Sequence, residues 1–232
     1  SKVTKSLGMN IFYPTIFSKQ MEFNCSNYSG TSTLEDFPML IEMNGSISGF
    51  NLRQFASGTG NDLRFFDPTG KEYPYEIETF DLAANRLVAW VKIPFLDANT
   101  SFSAYWGNPS LAEFPPAYSI NGEVWSSGYR GVWHMRPTAG TFTLTDSSSY
   151  RNHLFDPFGV SRDNGLAGTA RQLFGQPDHY LTAPTNESLE YLALDQFSFS
   201  GWIWLDGTPE QRVNEAFYGL GYDTTPQATY FD

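Results

Sequence analysis

Cysteine is nearly missing: Cys25 stands alone in 232 residues. No intramolecular disulfide can form, so disulfides say nothing about the compartment. Charge is also scarce, at 17% of residues, where globular chains carry about a quarter. Lysine stops at Lys92, and every later cationic side chain other than histidine is an arginine. No apolar run approaches the roughly 18 residues that a helical membrane span needs. No fixed-period repeat, low-complexity tract or leader stands out; the chain begins at Ser1 and reads as a mature or trimmed product.

Basic residues are outnumbered, 14 against 25 acidic ones, for a net charge of −11. The acids are dispersed rather than gathered in a tail. This balance excludes nucleic acid as a partner, because phosphates call for a basic face. It equally excludes an anionic membrane surface. Solubility is its ordinary consequence, and an attraction for Ca²⁺ is the functional one.

The usual catalytic patterns are missing as well. There is no GxSxG nucleophile turn. His134, His153 and His179 stand apart, without the spacing of a zinc site. Cys25 lies in an Asn-Cys-Ser-Asn turn and reads as an unreactive thiol. Gly58–Asp62 reads GTGND, a turn rather than a phosphate cradle.

What is present is apolar and aromatic surface, 41% and 17% of the chain, enough to fill a core. Polarity comes from Ser, Thr, Asn and Gly, as in many exported β proteins. Asn-x-Ser/Thr triplets occur at Asn24, Asn27, Asn44, Asn99 and Asn186. Helical periodicity is almost absent, and short apolar or alternating runs recur between turn residues. Strands are predicted at Gln20–Asn24, Met39–Met43, Asp62–Phe66, Tyr75–Thr79, Arg86–Ile93 and Thr100–Trp106. The run RLVAWVKI, apolar on both faces, predicts a central strand with Trp90 buried. Asp67–Gly70 is a turn joining DLRFF to KEYPYEIE as a hairpin. GNPSLAEFPPAY, with three prolines, reads as a linker. Beyond it, strands are predicted at Gly131–Met135, Thr141–Thr143, Ala170–Phe174, Tyr180–Thr182 and Phe197–Leu205, with one helical turn in SLEYLAL. The expected fold class is all-β: two antiparallel β-sandwich modules of jelly-roll type, residues 1–118 and 119–232.

Two stretches carry a family resemblance. LEDFPMLIEMN, DLRFFDPTGKEYPYEIETFD, AWVKIPFL and YWGNP, in that order within about residues 21–109, resemble the family called domain of unknown function 2341. Trp106 stands where that family's closing YYGN has Tyr. GVWHMRP, TDSSSYRNHL, GLAGTARQLFGQPDHYLTAP and FSFSGWIW, within about residues 127–232, resemble a concanavalin A-like, laminin-G-like jelly roll. There the run from Gly175 to Asp178 replaces a more acidic pattern, and the second module reads as incomplete. The resemblances imply an exported protein without catalytic machinery, and the second implies glycan or protein binding, often with Ca²⁺.

Three sets of residues are candidate sites. Glu76 and Glu78 are i and i+2 on a predicted strand and share a face, with Asp81 three further on. A retaining glycoside hydrolase places two carboxyls about 5–5.5 Å apart, which makes that activity an alternative; a solvated strand face is the ordinary reading. Asp146, Asn152 and Asp178 supply oxygen ligands for Ca²⁺, the one candidate cofactor; turn capping is the ordinary reading. Trp106, Tyr118, Trp125, Tyr129 and Tyr150 lie at strand ends or in loops and are candidate stacking platforms for sugar rings, while Trp90, Trp133, Trp202 and Trp204 lie within strands and are expected in the core. The expected function is noncatalytic binding or adhesion, outside the cell or on its surface, with a glycan or cell-surface polysaccharide as partner. A structural segment of an extracellular assembly, a surface layer, sheath or filament packed against other protein chains, is the alternative.

Overall fold

The computed structural model describes residues 14–125, 128–137, 142–156, 162–165, 168–172, 180–183, 187–190 and 197–203. The protein is all-β, built from antiparallel sheets. It divides into two compact units, Ser1–Val132 with Ser147–Arg151, and Trp133–Asp146 with Asn152–Asp232. The segment read as a linker, GNPSLAEFPPAY, falls wholly inside the first unit.

The first unit is a sandwich of two sheets. One has the order β1-β7-β3-β4, from Lys19–Asn24, Ser101–Trp106, Arg64–Phe66 and Glu72–Tyr73. The other has the order β2-β6-β5, from Leu34–Asn44, Arg86–Leu96 and Tyr75–Asp81. A single core joins them: Ile41, Met43, Leu87, Ala89, Val91 and Ile93 from the second sheet meet Phe65, Phe102, Ala104 and Trp106 from the first. The period-2 alternation of β6 sends Leu87, Ala89, Val91 and Ile93 inward; past them the parity changes, with Leu96 buried and Phe95 exposed. Each large side chain so buried contributes about 1.5–3 kcal/mol.

β2 is longer than its apolar run predicts. Glu35, Asp36 and Pro38 look like strand breakers, but β2 is an edge strand, where a missing N–H leaves no ladder bond unmade. Asp36 takes the left-handed conformation, with φ of 49°.

The Asp67–Gly70 turn forms as expected, closing a hairpin between β3 and β4. The Asp67 carboxylate accepts the N–H groups of Thr69 and Lys71, and Gly70 supplies a φ of 87°. KEYPYEIE, however, is not one hairpin arm. Pro74 divides it: Tyr73 pairs with Phe65 in one sheet, and Tyr75 pairs with Val91 in the other. The proline thus sits where the chain crosses between the layers, and its carbonyl accepts the Lys92 N–H.

Asp62 locks one end of this sandwich. It is fully buried. Its Oδ2 accepts backbone N–H bonds from Ala56 at 3.0 Å, Gly107 at 2.7 Å and Asn108 at 3.2 Å, and its Oδ1 accepts that of Ser57 at 3.0 Å. Gly107 has a φ of 80°, and a Cβ there would lie 2.0 Å from Ser18 Oγ. Asn108 then caps the turn Pro109–Leu111 by accepting the Ser110 N–H.

In the second unit, β8 (Trp133–Pro137), β9 (Thr143–Asp146) and β10 (Leu154–Phe155) form a sheet in the order β10-β9-β8. β11 (Arg162–Asn164) and β12 (Thr169–Arg171) form a hairpin, and α1 (Glu187–Glu190) is the expected helical turn. The predicted strand at Tyr180–Thr182 is reduced to a single bridge between Thr182 and Phe155. Arg171 and Asp156 make a buried ion pair, Nη2 to Oδ2 at 3.4 Å. Over residues 197–203 the strand predicted at Phe197–Leu205 is replaced by backbone without regular secondary structure. Leu205 lies outside the described residues.

Asp62→Ala would leave several amides of the first unit without an acceptor. The expected loss is about 3 kcal/mol or more, since each orphaned buried group costs about 1–3 kcal/mol. Urea unfolding followed by tryptophan fluorescence checks this; an unchanged midpoint would contradict the locking role.

Candidate functional site

The outer face of the β2-β6-β5 sheet carries the polar and aromatic groups of interest. Trp90 of β6 stands opposite Glu76 of β5 and Leu40 of β2. It is half-buried rather than buried: its strand is apolar on both faces, but only the odd-numbered side points into the core. The ladder slips between Ile77 and Thr79, so Glu78 occupies a bulge. Glu78 is buried, and its Oε2 accepts the Trp90 Nε1–H at 2.6 Å.

Glu76 is bound in the same manner from above. The chain turns at Asn121, whose side chain accepts the Glu123 N–H, and enters the 3-10 turn Glu123–Trp125. Trp125 is buried, and its Nε1–H donates to Glu76 Oε2 at 2.6 Å. Ser147 Oγ donates to Glu76 Oε1 at 2.5 Å. Gly122, with φ of 90°, allows residues 121–123 to approach 148–149: a Cβ there would lie 2.6 Å from Ser149 N. Two carboxylates on this face are therefore each held by a tryptophan N–H. Asp81, the third member of the carboxylate run, accepts the Ala83 and Ala84 N–H groups and serves as a turn cap.

The candidate aromatics separate into two groups. Trp106 is 2% exposed, stacked on Phe55 with centroids 5.4 Å apart and edge-on to Phe50. It is no platform, because the alternation of β7 carries Phe102, Ala104 and Trp106 inward together. Tyr118 is half-buried, edge-on to Tyr75 at 5.6 Å, with its hydroxyl bonded to Glu72. Trp125 is buried and packs on Trp90 at 5.1 Å. Tyr129 and Tyr150 remain open, 39% and 43% exposed. Tyr129 stands edge-on to Trp125 at 5.5 Å, and the Arg130 guanidinium lies 4.6 Å from the Tyr150 ring centre. Trp90, Trp125 and Tyr129 thus form a continuous aromatic row that ends at the surface.

Of the strand tryptophans expected in the core, Trp133 is half-buried and donates to the Asn152 carbonyl at 2.7 Å, whereas Trp202 is 85% exposed. Trp204 lies outside the described residues. Arg130 and Ser147 were not singled out from the sequence. Their roles depend on the return of residues 147–151 to the first unit, for which no local pattern exists.

The calcium candidates lie in the second unit. Asp146 and Asn152 are brought together, both fully buried, but Asp146 Oδ2 accepts the Asn152 N–H at 2.7 Å. The Asn152 side chain exchanges hydrogen bonds with Ser188 Oγ. Asp178 lies outside the described residues. Among the described residues no cluster of three or more His, Cys, Asp or Glu side chains is suited to a metal, and no helix is long and apolar enough to cross a membrane.

Cys25 is half-buried, and burial, then the nearby Asp97 charge, raises its thiol pKa. Burial raises the Tyr75 and Tyr118 phenols strongly; Tyr75 and Glu72 add to the effect at Tyr118.

Trp125→Phe keeps an aromatic ring and removes the donor to Glu76. Hydrogen bonds to charged groups contribute about 1.5–3 kcal/mol, so a loss of about 2 kcal/mol in urea stability is expected, and Trp90→Phe should act alike at Glu78. The raised phenols give stability a sign with pH. Their contribution is fully present below the ordinary phenol pKa of about 10. It is lost as pH rises toward the folded-state values, because the unfolded chain releases these protons first. Urea midpoints should fall across the alkaline range, and less steeply in Tyr118→Phe.

Residues 59–118 match the family described as Domain of unknown function (DUF2341). This region spans the Asp62 lock, the Pro74 crossing and the β5–β6 face, and it ends before the second resemblance begins. No curated protein matches the chain. No solved structure matches it.

Proposed function

We propose that the chain is a noncatalytic glycan-binding module of a secreted or surface-displayed protein, and that it binds through the open end of the aromatic row on its first unit. The observation that carries this reading is the pair Tyr129 and Tyr150, exposed yet braced. Sugar rings present C–H faces that lie against aromatic rings. A tyrosine already packed against Trp125, or against a guanidinium, gives up little freedom on binding, so its contact area is converted to affinity at small entropic cost. The carboxylates support binding rather than hydrolysis. Glu76 and Glu78 already accept tryptophan N–H bonds, Glu78 is buried, and Asp81 caps a turn, whereas a glycosidase needs an acid and a nucleophile directed at substrate.

A polysaccharide array probed with the whole chain, with and without Ca²⁺, tests the reading. Binding is expected in both conditions, weakened about ten-fold or more by Tyr129→Ala or Tyr150→Ala, the size of a lost hot-spot aromatic. Failure to bind any polysaccharide would remove it.

A further inference from the structure

Asn-x-Ser/Thr triplets stand at Asn24, Asn27, Asn44, Asn99 and Asn186, and the proposed binding surface uses none of them. The first unit sorts the four that are described. Asn27 is the third residue of a turn closed by the Tyr28 N–H on the Cys25 carbonyl at 2.8 Å. Asn99 is the third residue of a turn closed by the Thr100 N–H on the Asp97 carbonyl at 3.2 Å. The Cys25 N–H donates to the Thr100 carbonyl at 2.9 Å, so the two turns are clipped together where β1 ends and β7 begins. Both asparagines are exposed. Asn44 is placed differently. It is the first residue of its turn, half-buried at the end of β2, and its side-chain Nδ2 donates to Glu42 Oε1 at 3.0 Å. Asn24 closes the β1–β7 ladder opposite Ser101, and its Oδ1 accepts the Ser26 hydroxyl at 2.7 Å. Asn186 lies outside the described residues.

We infer that Asn27 and Asn99 are acceptor sites for N-linked glycans. The inference rests on the extracellular part of the proposed reading, because such triplets are modified in exported chains. The donor is a lipid-diphosphate-linked oligosaccharide. In the transfer the Asn side-chain nitrogen bonds to C1 of the first sugar, the bond from C1 to the phosphate breaks, the lipid diphosphate departs, and one amide proton passes to a base of the transferase. Ser29 and Ser101 are the hydroxyl residues that complete the two triplets. A bulky hydrophilic chain suits a folded protein where it disturbs neither packing nor a hydrogen bond. The third position of an exposed turn meets that condition. At Asn44 the modified atom is the one that holds Glu42, which is itself paired with Arg86. At Asn24 a chain would stand directly across the ladder from the residue that completes the Asn99 triplet. A chain on Asn99 also gives a hydrophilic neighbour to Phe95, which is 65% exposed and whose carbonyl accepts the Thr100 hydroxyl at 3.0 Å.

The test is to secrete the whole chain from a eukaryotic cell line and treat it with peptide N-glycosidase in heavy-oxygen water. That treatment converts each asparagine that carried a chain to a labelled aspartate; an untreated sample serves as control for spontaneous deamidation. Peptide mass spectrometry should find the label at positions 27 and 99 and not at 24 or 44. Asn27→Gln and Asn99→Gln should each remove one chain from the intact mass. Ser29→Ala and Ser101→Ala, which keep the asparagines, should do the same, with thermal melting to verify folding. Finding either Asn27 or Asn99 bare in the secreted chain, or a chain on Asn44 or Asn24, would overturn the inference, since position in the fold would then not decide. Polysaccharide binding is read separately on the array, so loss of the modification leaves that reading standing, and loss of binding by a modified chain removes that reading alone. The site assignment uses the unaltered chain, so it decides the matter even if a variant fails to fold.

Discussion

One buried carboxylate holds the first unit in register. Asp62 accepts amides from the loop at 56–57 and from the end of β7 at 107–108, segments that no ladder connects. Burying a charge is costly unless hydrogen bonds replace its water, and here backbone donors do so on both oxygens. The constraint extends outward from there. With residues 107–108 fixed, Asn108 starts the turn at Pro109–Leu111, and the chain continues to Tyr118, whose hydroxyl reaches Glu72. Glu72 in turn pairs with Arg64, two residues beyond Asp62, at 3.3 Å. The matched family region, residues 59–118, is thus tied at both ends. Within it Asp62, Asp67, Gly70, Gly107 and Asn108 each have an architectural role.

Much of this was legible where periodicity and turn chemistry coincide. β6 and β7 follow from their alternation, and the hairpin at Asp67–Gly70 follows from its turn residues. Pro74 was legible only as a proline: that it marks a passage between sheets depends on which strands Tyr73 and Tyr75 pair with. Trp106 was misread because a position at a strand end suggests exposure, whereas its parity with Phe102 and Ala104 fixes it inward. The parity of Trp90 likewise places it on the outer face, and the apolar character of its neighbours concealed this. Over residues 197–203 the alternation of the predicted strand Phe197–Leu205 is present without a strand, since alternation describes a face and not a backbone conformation.

The candidate site was legible as residue types and not as an arrangement. Glu76 and Glu78 suggested acid–base chemistry by spacing alone. In the structure Glu78, in a bulge, is bound to Trp90 of its own sheet, and Glu76 anchors the covering segment through Trp125. Nothing in the local sequence of DSSSYRN indicates that Ser147 bonds to Glu76.

The anchoring and the proposed binding depend on each other physically. Tyr129 packs edge-on against Trp125, and Trp125 is fixed by packing on Trp90 and by its bond to Glu76. The carboxylate that suggests catalysis from sequence therefore acts at one remove. It accepts a bond from an indole, the indole packs against a phenol ring, and the phenol is partly exposed to water. The negative charge of Glu76 is meanwhile offset by N–H and O–H donors. An acidic protein thereby turns this carboxylate away from the surface that Tyr129 shares, and the same hydrogen bonds that stabilise the sheet face set that polarity.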